Sequence, residues 1–285
     1  MKLSDIRYIK IPFTLYDLFG YLLPGLLFFA LFPITYDLSK IIDIASEYIK
    51  TGNYCEKSFL LLQIRDTLSI SPWLLLFYCI LIAYLVGHII ATLSSLILER
   101  IFVEKFLKYP AANMFGIRKY QGWFENVIFK VINIIPGWKL FKKIIFPNYR
   151  RSYSKDFRES FQKTFKGTFD LKVNDQSDIF WLCFSFVGQY CPITFQRASH
   201  FLNLYGFTRN LSMMFFLFGI AMALLESTNS ILINWWLISF YFFLGLSFFW
   251  QYLKFFRRLN DEVYRGFVSF VSTKEKFGVA VGELE

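Results

Sequence analysis

Apolar positions in this chain run in long blocks, without the alternation of a half-buried strand. A helix crossing a bilayer needs about 20 mostly apolar residues. Four stretches meet that need: Thr14–Tyr36, Pro72–Leu98, Leu211–Leu225 with an apolar lead-in at Leu202–Phe207, and Ser230–Tyr252. The second contains no charged residue. Beyond it, Leu98, Phe102 and Phe106 continue at four-residue spacing, and Thr194–Asn210 sets Phe201, Leu204 and Phe207 on one side. Both helices are therefore expected to run on past the bilayer.

The segment between them reads as short helical pieces. Gln121–Ile135 is a helix ended by Pro136-Gly137. Trp138–Phe146 interleaves apolar residues with Lys139, Lys142 and Lys143, a pattern that suits a helix lying in the headgroup plane. Asn148–Ser154 is a basic turn. Lys155–Lys166 places Phe157, Phe161 and Phe165 one turn apart, with Arg158, Lys163 and Lys166 around them. Such a basic amphipathic helix either packs on the protruding helices or dips into the headgroup layer. Asp178–Val187 is apolar but too short to span, and reads as a buried strand, a buried helix or a re-entrant piece. The expected fold is all-α, with four transmembrane helices, long cytoplasmic helical extensions and a small helical cytoplasmic domain. Its parts are a tail and two spans in residues 1–98, the cytoplasmic domain in 99–210, two spans in 211–252, and a cytoplasmic helix and tail in 253–285.

Composition sharpens this picture. Charged residues are only 18% of the 285 and hydrophobic ones 55%, whereas a soluble surface uses about 25% charge. Disorder and a disulfide-stapled scaffold are excluded by the same figures and by the four scattered cysteines. The 31 basic residues outnumber the 21 acidic ones. They gather in the N-terminal tail, in Glu99–Asn210, which holds 18 of them, and in the C-terminal tail. Lys and Arg mark the cytoplasmic side. Both termini and the central segment are therefore expected on the cytoplasmic side. Topology and anionic headgroups account for the positive charge, so nucleic acid is not an expected partner.

The second span carries the sharpest pattern. Ala83, Gly87, Ala91 and Ser95 share one face, and small residues let another helix approach closely. The pattern leaves open whether that helix comes from the same chain or another copy. Beside it runs a polar stripe, Tyr84, His88 and Thr92. An ionisable group in a bilayer suggests function, here a pore lining that titrates near neutrality. The structural alternative is a neutral imidazole held by a neighbouring helix, for instance by Tyr21 or by a carbonyl that Pro24 leaves free. In the first span Gly20, Pro24 and Gly25 mark a hinge or a static kink. Two histidines, His88 and His200, leave little for acid–base or metal chemistry. No Walker loop, dinucleotide fingerprint or nucleophile elbow is present. Cys183 and Cys191 lack the paired spacing of a zinc site and read as buried small hydrophobes. No enzyme activity, cofactor or metal is expected.

The layout is similar to that of small multi-span membrane proteins of bacterial antiphage defence systems. The likeness is carried by TLYDLFGYLLPG at the first span, the uncharged second span, the basic aromatic-rich segment, and Arg209-Asn210 entering the third span. It implies an oligomer that perturbs the inner membrane when a partner or messenger triggers it. The leading expectation is thus a regulated, self-associating effector that forms a pore or perturbs the membrane. The partners would be the lipid bilayer, further copies of the chain, and a cytoplasmic protein or signalling ligand. The alternative is a non-catalytic anchor or scaffold subunit that docks a soluble cytoplasmic partner. A membrane enzyme or lipid-handling protein is the third class.

Overall fold

A computed structural model describes residues 17–31, 72–116, 148–171, 176–229 and 235–277. Described elements are helical, with no strand among them. They are α1, Leu18–Leu31; α2, Pro72–Ser94, continued by wider π-type turns over Ser95–Leu107; α3, Pro110–Phe115; α4, Lys155–Phe169; α5, Gln176–Tyr190; α6, Pro192–Asn229; and α7, Trp235–Phe277. The expected helices at Gln121–Ile135 and Trp138–Phe146 lie outside the described residues.

Among the described residues, three apolar helices are long enough to cross a membrane: Leu76–Phe115, Pro192–Leu224 and Trp235–Thr273. Four were expected. The first, α1, is apolar but shorter over its described length, and the flanking positions 14–16 and 32–36 lie outside the described residues. The long apolar helices fit a membrane protein. The chain divides into two compact units, Met1–Ser94 with Gly206–Phe249, and Ser95–Tyr205 with Trp250–Glu285.

The first unit is built on small-to-large packing. Gly25 of α1 meets the Ala83 carbonyl of α2, and Gly87 of α2 meets the Tyr21 carbonyl of α1. A Cβ at either glycine would overlap backbone that has no room to move. Gly219 of α6 lies under the Phe242 ring of α7, and Gly245 of α7 under Phe216 of α6. Phe218 stacks with Phe28 at 5.1 Å and with Tyr241 at 5.6 Å. Where lipid supplies no hydrophobic drive between helices, such close contact supplies dispersion instead.

A buried polar group ties three helices of this unit together. Pro24 has no N–H to give the Gly20 carbonyl one turn back. Asn210 of α6 supplies the missing donor, its Nδ2 lying 2.5 Å from that oxygen. Asn210 Oδ1 in turn accepts from the Ser94 hydroxyl of α2, which also lies 2.8 Å from the Ala91 carbonyl. Ser94 and Asn210 are wholly buried.

The second unit has a core of stacked aromatic rings. Its α4 starts at Ser154, whose hydroxyl accepts the Phe157 N–H, and ends at Asp170 in the left-handed region at φ 52°. Asp156 in its first turn and Lys166 in its last match the helix dipole. Phe161 and Phe165 point inward and are fully buried against Tyr264 and Phe267 of α7. Phe115 of α3 packs on Phe161 at 4.5 Å. The short apolar run is resolved as α5, with Ile179, Cys183, Phe186 and Val187 buried at i, i+4, i+7 and i+8. Cys183 and Cys191 are both free thiols and both buried.

One periodicity is corrected. Leu98 and Phe102 do not share a face: Leu98 is buried and Phe102 exposed, and the buried series is Leu98, Val103, Leu107. Wider π-type turns with i→i+5 bonding move the inward position from i+4 to i+5 at that step.

Candidate functional site

The small-residue ladder is the first sequence candidate to consider. Ala83, Gly87 and Ala91 are buried. Ala83 and Gly87 contact α1 of the same chain, which takes the intrachain alternative. Ser95 leaves the face. It opens the π-type segment, belongs to the second unit, and turns its hydroxyl toward Glu99 at 3.5 Å. The polar role falls to its neighbour Ser94.

The polar stripe does not form one wall. His88 stacks on Tyr21 of α1, ring centroids 3.9 Å apart, and Tyr84 meets the edge of His88 at 4.5 Å. Thr92 is exposed and donates its hydroxyl to the His88 carbonyl of its own helix at 2.9 Å. Two members thus pack inside the chain and the third is satisfied locally.

The hinge candidates Gly20, Pro24 and Gly25 are all buried. The carbonyl that Pro24 leaves free is held by Asn210, not by His88. Gly20 lies in a π-type turn, Leu18–Leu22, and Gly25 sits where contact with α2 is closest.

The basic amphipathic helix divides between core and surface. Phe161 and Phe165 belong to the core, and Phe157 is half-buried beside it. Arg158 turns inward and donates to the Phe115 carbonyl at 3.4 Å, under Gly116, whose φ of 68° ends α3. Lys163 and Lys166 are exposed. The phenylalanines therefore pack on protein, with ring contacts to α7 and α3 rather than to the two protruding helices that the first alternative named.

A concave site lies elsewhere, in the second unit. It is a cleft of about 860 Å³ between the Asn148–Ser154 segment, expected as a turn but helical over 148–150 before it extends into α4, and the face of α7 from Trp250 to Arg265. Trp250, Lys254, Arg257, Asp261 and Arg265 follow one another at helical spacing, so the single helix presents them together. The turn is held in place by two devices. Arg257 acts as a fork, Nη1 donating to the Tyr149 carbonyl and Nη2 to the Arg151 carbonyl, each at 2.7 Å. Tyr153 donates its hydroxyl to Asp261 at 2.7 Å, and Arg265 donates to the same carboxylate oxygen at 2.7 Å. The Arg265 guanidinium also lies 5.6 Å from the Tyr153 and Phe157 ring centroids.

Charge in the cleft is one-sided. Arg151, Lys254, Arg257, Arg258 and Arg265 face a single carboxylate, Asp261. Asp261 is engaged by Arg265 and Tyr153, and the Arg257 nitrogens are committed to backbone oxygens. Arg151, Lys254 and Arg258 are exposed, with no ion-pair partner among the described residues. Burial raises the Tyr153 hydroxyl above its ordinary value, and the Asp261 charge adds to the effect, so Tyr153 stays a neutral donor. Burial raises Tyr149 likewise. Burial lowers Arg150, beside the cleft, from the usual guanidinium range.

In the sequence, Lys254, Arg257, Arg258 and Arg265 belong to the basic C-terminal tail that marks topology. The spacing of Lys254, Arg258, Asp261 and Arg265 at i, i+4, i+7 and i+11 was the available signal. Among the described residues, no three His, Cys, Asp or Glu side chains could together hold a metal ion. No protein-family model, curated protein or solved structure matches this chain.

Proposed function

We propose that this chain is a non-catalytic membrane anchor or scaffold subunit of a bacterial inner membrane, whose second unit docks a soluble partner in the cytoplasm. One observation carries the choice: the small-residue face of α2 is occupied by α1 of the same chain, through Gly25 against Ala83 and Gly87 against Tyr21. That face was the main argument for self-association, and the stacking of His88 on Tyr21 takes away the stripe proposed to line a pore. The Lys and Arg bias supports a cytoplasmic second unit. Both termini share that side only if the segment containing α1 crosses as well, since three spans alone would separate them. The competing proposal is the regulated pore-forming effector of antiphage defence.

Induced expression of the full chain in bacteria with a potential-sensitive dye separates the two. The anchor leaves membrane potential and growth unchanged. Depolarisation by the wild type that His88→Leu abolishes would overturn the anchor reading in favour of the pore.

A further inference from the structure

The cleft between the Asn148–Ser154 turn and α7 points to a ligand of its own, and we propose that it binds the phosphate of an anionic phospholipid headgroup. This goes beyond the anchor reading and does not rest on it. It does rest on the apolar run of α7 crossing the bilayer.

Five cations and one carboxylate line a partly enclosed space. Like charges held together in a concave site raise one another's energy, and an anion relieves that cost. Four of the five carry charge that no carboxylate of the cleft neutralises, because Asp261 is already engaged by Arg265. A phosphodiester suits the cleft by geometry, its tetrahedral oxygens being able to take a guanidinium on one side and an ammonium on the other. The fork of Arg257 fixes the turn before any ligand arrives, so Arg151 and Arg258 are presented from two separate walls. Such prior order reduces the entropy lost on binding.

The source of the phosphate follows from Trp250. It lies in the cleft wall, is 45% exposed, and closes the apolar run of α7 directly before Lys254, Arg257 and Arg258. Tryptophan settles at the headgroup level of a bilayer, and basic residues just beyond a span attract anionic lipid. A small hydrated phosphate such as glycerol 3-phosphate has no apolar group to set against the indole. A lipid headgroup meets the indole and the cations at once.

The test uses the full chain in neutral detergent, with native mass spectrometry as the readout. The probes are dioctanoyl phosphatidylglycerol, dioctanoyl phosphatidylcholine and glycerol 3-phosphate. Saturable binding of the phosphatidylglycerol is expected, with much weaker binding of the other two. Removing two exposed cations with Lys254→Gln/Arg258→Gln should weaken binding at least about tenfold, given the roughly 1 kcal/mol each basic residue contributes near anionic lipid. Lys163→Gln/Lys166→Gln removes the same charge from exposed positions outside the cleft and should change binding less than about twofold. If the first double variant fails to fold, Arg151→Gln on the opposite wall takes its place, with a weakening of about fivefold. Equal binding of phosphatidylglycerol and phosphatidylcholine overturns the proposal, as does equal weakening by cleft and control variants. Glycerol 3-phosphate binding as tightly as the lipid would assign the cleft to a soluble phosphate and overturn the lipid source.

Discussion

Asn210→Leu tests whether the buried polar group of the first unit repairs a defect created by proline. The wild-type amide donates to the Gly20 carbonyl and accepts from Ser94, and it is completely buried. Leucine keeps the branch at Cγ but is bulkier than the amide, so overpacking adds to the loss in the single variant; that part is common to both backgrounds of the cycle below and cancels there. Ser94 retains the Ala91 carbonyl at 2.8 Å and loses little. The Gly20 oxygen lies in a π-type turn, Leu18–Leu22, and residue 24, as a proline, offers it no N–H one α-helical turn on. A buried acceptor left unpaired costs about 1–3 kcal/mol in general, and interhelical bonds in membrane proteins average about 0.6 and reach about 1.7. The expected destabilisation is about 1–2 kcal/mol, at the upper end for a membrane hydrogen bond. Pro24→Ala restores an N–H that reaches the Gly20 oxygen from within the helix. In that background Asn210→Leu should cost about 1 kcal/mol less than in the wild type, a coupling well above the usual scatter of about 0.3–0.5 for independent sites. The direct effect of losing the ring cancels in the cycle. Unfolding of the full chain in mixed micelles, titrated with denaturing detergent, measures all four corners. Strict additivity would refute the idea that Asn210 serves the carbonyl freed by Pro24.

Gly87→Leu should abolish folded protein in detergent, because its side chain would enter the Tyr21 backbone, whereas Leu85→Ile on the exposed face of α2 should leave yield unchanged; comparable recovery of monodisperse protein from both would refute the close approach. Stability of the second unit should fall with alkaline pH. Burial raises Cys183 and Tyr153 above their ordinary values, so the fold keeps protons that the unfolded chain loses. Their contribution is complete below about pH 8.5 for the thiol and about 10 for the phenol, and is lost as pH rises from there toward the folded values. Melting temperatures of the full chain followed to about pH 11 should therefore decline from about 8.5 upward, with the slope reduced in Cys183→Ala and Tyr153→Phe, and an unchanged slope in both variants would refute the assignment.

Much of the helical content was legible in the sequence because an apolar stretch of bilayer length is a local property. Pro72–Leu98, Leu211–Leu225 and the run ending at Tyr252 each declare themselves as charge-free apolar stretches, and each lies in a long helix. The Phe157, Phe161, Phe165 spacing likewise announced an amphipathic helix, since 3.6 residues per turn align positions four apart. What covers a face is not a local property. The ladder of Ala83 and Gly87 has the same sequence whether its partner is α1 or another copy, and only tertiary structure brought Gly25 and Tyr21 against it. The phenylalanine stripe could equally face lipid or protein until Tyr264 and Phe267, about a hundred positions later, stacked on it. The Gly20, Asn210 and Ser94 group was invisible for the same reason: a carbonyl orphaned by proline is predictable, but its donor comes from nearly two hundred residues away. The cleft lies between these cases. One wall is a helical spacing written in residues 250–265, and the other is a turn that becomes a wall only because Arg257 and Asp261 reach across to hold it. Periodicity depends on neighbours along the chain, whereas partners depend on which distant segments the fold brings within hydrogen-bond reach.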